Sequence, residues 1–226
     1  THDQSSAASD VYKRQDIMND LMSLGMHRLW KKRFVETVNL KENEIILDVG
    51  SGSGDIASEI LKENLSTSLY LLDLNKEMLL EGRKRLKKEK NIKYFIGNAE
   101  KLNFENNFFD KYTISFCLRN VTEYLLSIKE AYRVLKPGGK YCCLEFSTPK
   151  SSLISSSYKI YKSKILPLLG EIVAKDKNAY KYLSESIDLF PSQEELSKNL
   201  RDCGFTKVET INLFNGIVAI HTGYKL

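Results

Sequence analysis

The chain has 226 residues, 42% of them hydrophobic, and its 34 Lys and Arg against 29 Asp and Glu leave a net charge of +5. This content excludes an intrinsically disordered chain, and the length favours one elaborated domain with a buried core. No apolar run approaches the roughly 20 residues that cross a bilayer, so a soluble or membrane-peripheral protein is expected.

Residues 1–15, THDQSSAASDVYKRQ, are polar and aperiodic and are expected to be a disordered or non-native lead-in to a single domain over 16–226. Helices are expected within 16–44. From residue 45 apolar, β-rich runs alternate with helical ones. EIILDVG reads as a first strand, DIASEILKEN as a helix, LYLLDLN as a second strand and KEMLLEGRKRLKKEK as a second helix. NIKYFIGNAE and FDKYTISFCL give strands three and four; TEYLLSIKEAYRVL is a helix stopped by KPGG before a fifth strand, KYCCLEFS. SQEELSKNLRDCGF carries a capping box, Ser192 with Glu195, and TKVETINL and GIVAIHTGYKL close the chain as two strands. This alternation predicts an α/β fold built on a mostly parallel, doubly wound seven-stranded sheet with helical additions. Most of the surplus positive charge lies in WKKRF at 30–34 and EGRKRLKKEK at 81–90, which read as solvated helix faces. The four cysteines have no metal-ligand spacing, and no metal site is expected. Cys142 and Cys143 should point to opposite faces of their strand.

The first strand-to-helix turn, LDVGSGSGD at 47–55, places glycines at 50, 52 and 54, where the backbone can turn sharply and a ligand can approach its amides. The third glycine comes one residue too early for a dinucleotide fingerprint, and the flanking Asp48 and Asp55 would repel a pyrophosphate. A ligand with a cationic centre and no phosphate, S-adenosylmethionine, fits better. Asp73 lies 19 residues after Gly54, at the tip of the second strand, where a carboxylate accepts from both ribose hydroxyls. Asn98 and Glu100, in GNAE, fall where the adenine would lie.

The segments DIMNDLMSLGMHRLWK (16–31), LDVGSGSGD, ISFCLRNV (114–121), AYRVLKPGGK (131–140), LEFS (144–147), YKYLSESI (180–187) and GIVAIHTGYK (216–225) resemble those of the ubiquinone/menaquinone biosynthesis C-methyltransferase family. The resemblance implies a Rossmann-like class I methyltransferase fold and S-adenosylmethionine-dependent methylation of a ring carbon of a polyprenylated benzoquinol or naphthoquinol. It places cofactor contacts on Ser53, Asp73, Asn98, Ala99 and Ser115, beside Gly50, Gly52 and Gly54. It further implies a peripheral membrane contact and a quinone-synthesis complex or homodimer, without nucleic acid. The compartment would be the matrix face of the mitochondrial inner membrane in a eukaryote, or the cytoplasm or inner-membrane surface in a bacterium. The chain departs from the family in Gln15, where an aromatic residue is usual, and in Ser51, which follows Gly50 where a second glycine is common.

Arg119 and Asn120 follow strand four, at the carboxyl edge where ligands of such sheets collect. A phenol, with a pKa near 10, attacks poorly through carbon until it ionises, and a fixed guanidinium favours the phenolate. Arg119 is therefore expected to stabilise the oxyanion, with water or His27 as proton acceptor. The 148–191 segment is expected to form the substrate wall. Ile165 and Leu169 lie in its apolar stripe, and Tyr180 and Tyr182 border the ring. Competing readings are a methyltransferase of another small molecule or of RNA, and a non-catalytic scaffold of a quinone-synthesis complex.

Overall fold

Five apolar runs bounded by polar turns form the parallel strands β1 (Ile45–Val49), β2 (Ser68–Asp73), β3 (Ile92–Ile96), β4 (Phe109–Ser115) and β5 (Leu135–Phe146). With β6 (Thr206–Leu213) and β7 (Val218–Tyr224) they make a seven-stranded sheet of order β3-β2-β1-β4-β5-β7-β6, in which β7 pairs antiparallel to both β5 and β6. The computed structural model describes residues 25–63, 65–149 and 177–226. Its helices are α1 (His27–Val38), α2 (Asp55–Leu61), α3 (Lys76–Arg85), α4 (Tyr124–Val134), α5 (Lys177–Leu189) and α6 (Gln193–Asp202).

Strand alternation divides the apolar residues between two cores. One face of the sheet carries Ile46, Leu69, Leu71, Cys142 and Leu144 against α1, α2 and α3 through Phe34, Ile60 and Leu79. The other carries Leu47, Val49, Tyr112, Tyr141 and Cys143 against α4 and α6 through Ile128, Leu196 and Leu200. Cys142 and Cys143 thus do face opposite ways, and each is a core residue. Ser192 caps α6 by accepting from the Glu195 amide at 3.2 Å.

The expected order of elements is present among the described residues, with changes of boundary: α3 ends at Arg85 and not at Lys90, and the start of β5 moves. Pro137, Gly138 and Gly139 do not separate helix from strand; β5 starts at Leu135, directly after α4, and contains them. Gly138 has φ +81°, its amide donates to Lys225 O at 2.6 Å, and the register against β4 slips between Phe109 and Lys111. The glycine freedom is spent on a bulge inside the sheet rather than on a loop outside it.

Helix α1 determines what lies over the carboxyl edge of the sheet. Near its start Trp30 packs on Phe116 and Phe146, with ring centroids 6.4 and 6.2 Å away. Near its end the buried Lys140 donates to Thr37 O, satisfying a carbonyl of the last turn. The helix therefore runs antiparallel to β5 and delivers His27, one turn before Trp30, towards the ends of β4 and β5. Among the described residues no helix is long and apolar enough to cross a membrane.

Candidate active site

Strand order reverses between β1 and β4, so the chain leaves their carboxyl ends in opposite directions and a crevice opens between them. The glycine loop follows β1. Gly50, Gly52 and Gly54 have φ of +64°, +53° and +80°, values that a side chain would strain. The amides of Gly50 and Ser51 donate to Leu72 O at 2.8 and 3.1 Å, which ties the loop to the end of β2. Asp73 sits there. Its Oδ2 accepts from Gly52 N and its Oδ1 from Asn75 N, both at 2.8 Å. Each oxygen retains a lone pair for a further donor, as a ribose diol requires.

Asn98 and Ala99 follow β3, with Ala99 buried and Asn98 exposed. Asn98 Oδ1 accepts from Glu100 N at 2.9 Å, and Glu100 Oε1 accepts from Glu123 N, which stitches this turn to the start of α4. Ser53 is buried, with its backbone against Gly82 of α3, and Ser115 ends β4 half-buried. All the residues expected to hold the cofactor thus gather at the carboxyl edges of β1 to β4.

The two acidic residues flanking the loop are not alike. Asp55 opens α2, where Lys31 of α1 pairs with it at 2.5 Å and Arg85 of α3 also binds it. Burial alone would push its carboxyl up, but the two cations overcome this and hold it below the ordinary carboxylate range. Asp55 is therefore a neutralised clamp, and the repulsion of a pyrophosphate assigned to it above does not hold. Asp48 differs. It is 1% exposed at the end of β1, its Oδ1 accepts from the Thr113 hydroxyl at 2.8 Å, and its Oδ2 has no partner among the described residues. Burial pushes the carboxyl up to about 7, with Asp73 and Asp55 adding to the rise and Thr113 and Lys31 opposing it. Ser51 Oγ, in the glycine loop that follows, is also buried and has no partner among the described residues. A poorly compensated carboxyl and a free hydroxyl next to a glycine loop suit a ligand bearing sulfonium and ammonium charge.

Beyond β4 a 3₁₀ turn, Leu118–Asn120, carries the two residues expected to act on substrate. Arg119 Nη1 donates to Glu145 Oε1 at 2.7 Å and to Phe116 O at 2.6 Å, and its side chain is only 11% exposed. It is not a free surface cation: a buried carboxylate on β5, absent from the sequence reading, balances its charge. Its Nε has no partner among the described residues. Asn120 is exposed, and its Oδ1 accepts from the Tyr182 hydroxyl of α5 at 3.2 Å, so one expected ring-binding residue meets one expected catalytic residue. His27 is buried at the start of α1 and has interactions of its own. Tyr180 belongs to α5, but its side chain, like Ile165 and Leu169 altogether, lies outside the described residues. The remaining described histidine, His221, is buried in β7, pushed down to about 4 by burial and bonded to Gln193 O, which makes it a neutral packing residue.

A sheet of order 3-2-1-4-5-7-6 with a glycine loop at the switch point and an acidic residue ending β2 defines a class I S-adenosylmethionine-dependent methyltransferase. The fold agrees with a SAM-dependent methyltransferase of Aquifex aeolicus at TM-score 0.65 and 17% identity, over 93% of this chain and 98% of that one. It agrees as well with the [4+2]-cyclase SpnF, at TM-score 0.65 and 15% identity, over 88% of this chain and 81% of that one. The fold alone therefore does not fix the reaction. The sequence goes further: it matches the ubiE/COQ5 methyltransferase family over residues 5–225, and the chain belongs to that family. A relative from Rickettsia bellii, named ubiquinone/menaquinone biosynthesis C-methyltransferase UbiE, is 49% identical over 98% of this chain and 92% of its own length.

The state of Asp48 gives a test of the site. The native carboxyl holds a proton that the unfolded chain releases near 3.8, so stability falls as pH rises from there to about 7, where the folded form also ionises. Asp48→Asn keeps the acceptor for Thr113 and removes the charge. Urea denaturation of the cofactor-free protein should find the variant more stable than wild type at pH 8, with the advantage vanishing towards pH 4, while calorimetry finds weaker S-adenosylmethionine binding. Parallel stability curves in the two proteins would mean that Asp48 is ionised throughout.

Proposed function

We propose that this enzyme methylates a ring carbon of a polyprenylated 1,4-benzoquinol or 1,4-naphthoquinol. The observation that carries the reading is the guanidinium of Arg119, held almost out of solvent in the turn after β4, two residues beyond Cys117 and its contact with the cofactor loop. When bound, S-adenosylmethionine supplies an electrophilic methyl on its sulfonium. Asp48, Asp73 and the glycine loop hold and orient that group. What remains for the chain is to make a ring carbon nucleophilic.

A quinol oxygen with a pKa near 10 is mostly protonated at neutral pH, and its ring carbon is then a poor nucleophile. An arginine side chain is a permanent cation and only donates, and the Nε–H of Arg119 has no partner among the described residues, which suits it to stabilise the developing oxyanion rather than to accept the proton. Tyr182, by donating to Asn120 Oδ1, turns the amide so that its NH₂ is left for a quinol oxygen. The proton passes to water or to His27, which α1 brings to the same edge.

The polyprenyl tail confines such a substrate to a bilayer, since each buried CH₂ contributes about 0.8 kcal/mol. Exposed apolar side chains border the site on the elements that follow β4 and β5: Leu125 and Leu126 open α4, and Leu189 ends α5. A Tyr124–Phe190 ring contact joins these two helices. We assign this rim to the membrane surface, at the inner membrane of a bacterium or the matrix side of the mitochondrial inner membrane.

Two experiments test this reading. Arg119→Ala should bind S-adenosylmethionine as wild type does, yet methylate a short-tailed 2-prenyl-1,4-naphthoquinol more slowly by an amount equivalent to roughly 2–4 kcal/mol. Arg119→Lys should recover only part, because an ammonium lacks the planar fork. A deficit that stays constant from pH 7 to 9.5 would remove Arg119 from phenolate stabilisation. In liposome flotation, the Leu125→Ser/Leu189→Ser double variant should leave the membrane fraction while keeping its cofactor affinity; equal flotation of both proteins would return these leucines to ordinary surface.

A further inference from the structure

Glu145 is a carboxylate in the middle of an apolar strand segment, Leu144-Glu145-Phe146, and its side chain is 1% exposed. A charge in such a place persists only when it is matched and hydrogen-bonded. Its Oε1 accepts from Arg119 Nη1 at 2.7 Å and from Phe146 N at 2.9 Å, and its Oε2 accepts from the Arg119 backbone amide at 3.3 Å. One carboxylate thus holds both the side chain and the main chain of Arg119. The guanidinium is further confined by Phe116 O and by the Phe146 ring, whose centroid lies 5.4 Å from Cζ. The pair bridges β5 to the turn after β4, and it is more elaborate than keeping a surface arginine in place requires.

We propose that Glu145 is a positioning residue for the methyl transfer: it locks the Arg119 guanidinium at the quinol oxygen and, as its counter-charge, sets the strength of the field there. This rests on the quinol reading above. The two effects act in opposite directions and can be separated. Losing the lock slows the reaction. Losing the counter-charge strengthens the positive field and makes the quinol ionise at lower pH. Two titratable neighbours face the pair. The thiols of Cys117 on the turn and Cys143 on β5 are both pushed up by burial, so they stay neutral over the range tested. His27 on α1 and, on the cofactor side, Asp73 and Asp48 are the other titratable groups brought to this edge; Asp48, pushed up to about 7 by burial, titrates within the range in wild type and variants alike, so only the displacement between them reports on Glu145.

The test uses the full chain, saturating S-adenosylmethionine and a short-tailed 2-prenyl-1,4-naphthoquinol kept reduced, with kcat followed from pH 5.5 to 9.5. Glu145→Gln should lower the plateau roughly 10- to 100-fold and move the acidic limb down by about one pH unit or more, with cofactor affinity by calorimetry unchanged. Glu145→Asp keeps the charge and shortens the reach by one methylene. It should therefore fold, lower the plateau and leave the limb at the wild-type pH. An acidic limb unmoved in Glu145→Gln, or equally displaced in Glu145→Asp, overturns the proposal, as does a cofactor affinity that falls in step with kcat. A limb abolished by His27→Asn belongs to the histidine and overturns it as well. Wild-type protein that binds cofactor but leaves every quinol unmethylated removes the quinol reading itself, and this inference with it.

Discussion

Gly50 and Cys117 lie so close that the glycine has no room for a side chain: a Cβ there would sit 2.2 Å from the cysteine sulfur and 2.5 Å from its Cβ. The constraint belongs to two loops at once. Gly50 opens the cofactor loop after β1, and Cys117 opens the turn that carries Arg119 and Asn120 after β4. Their contact fixes the proposed cradle of the methyl donor against the residues we propose to face the methyl acceptor, so the two loops share one register. Burial pushes the Cys117 thiol up to about 12, which makes it a neutral spacer and not a nucleophile. The neighbouring β1 and β4 strands, paired from Ile46 with Lys111 to Val49 with Ile114, give this contact a rigid base.

Charge at the site is distributed by depth. Asp55 is half of a clamp in which Lys31 and Arg85 draw α1 and α3 onto the start of α2. Arg119 and Glu145 form a second balanced pair, between the turn after β4 and β5. Between these stands Asp48, buried and only partly satisfied. Such a group destabilises the empty fold at neutral pH and is stabilised by a cation, which is the arrangement expected where binding energy is to be released on the cofactor.

The strands, the glycine loop and Asp73 were legible in the sequence because each rests on a local signal: short apolar, β-rich runs, glycines at fixed offsets, an acid at a strand tip. The β5 boundary was not, since Pro-Gly-Gly reads the same in a loop and in a bulge. The partners of Arg119 and Asn120 were beyond local reading too, as Glu145 and Tyr182 are 26 and 62 residues away in the chain. One clue was available. A carboxylate inside KYCCLEF, like Asp48 inside IILDV, breaks an otherwise apolar strand and has to be matched by something buried. The neutralisation of Asp55 could not be read from the loop either, because Lys31 and Arg85 reach it from other helices.

The central claim is that the site turns a quinol carbon into the nucleophile. The most direct measurement is to incubate the enzyme with methyl-labelled S-adenosylmethionine and a reduced, short-tailed quinol, and to locate the label in the product by fragmentation mass spectrometry. The account predicts the label on a ring carbon. Label on a quinol oxygen, or an unlabelled quinol in the presence of folded, cofactor-binding enzyme, would contradict it.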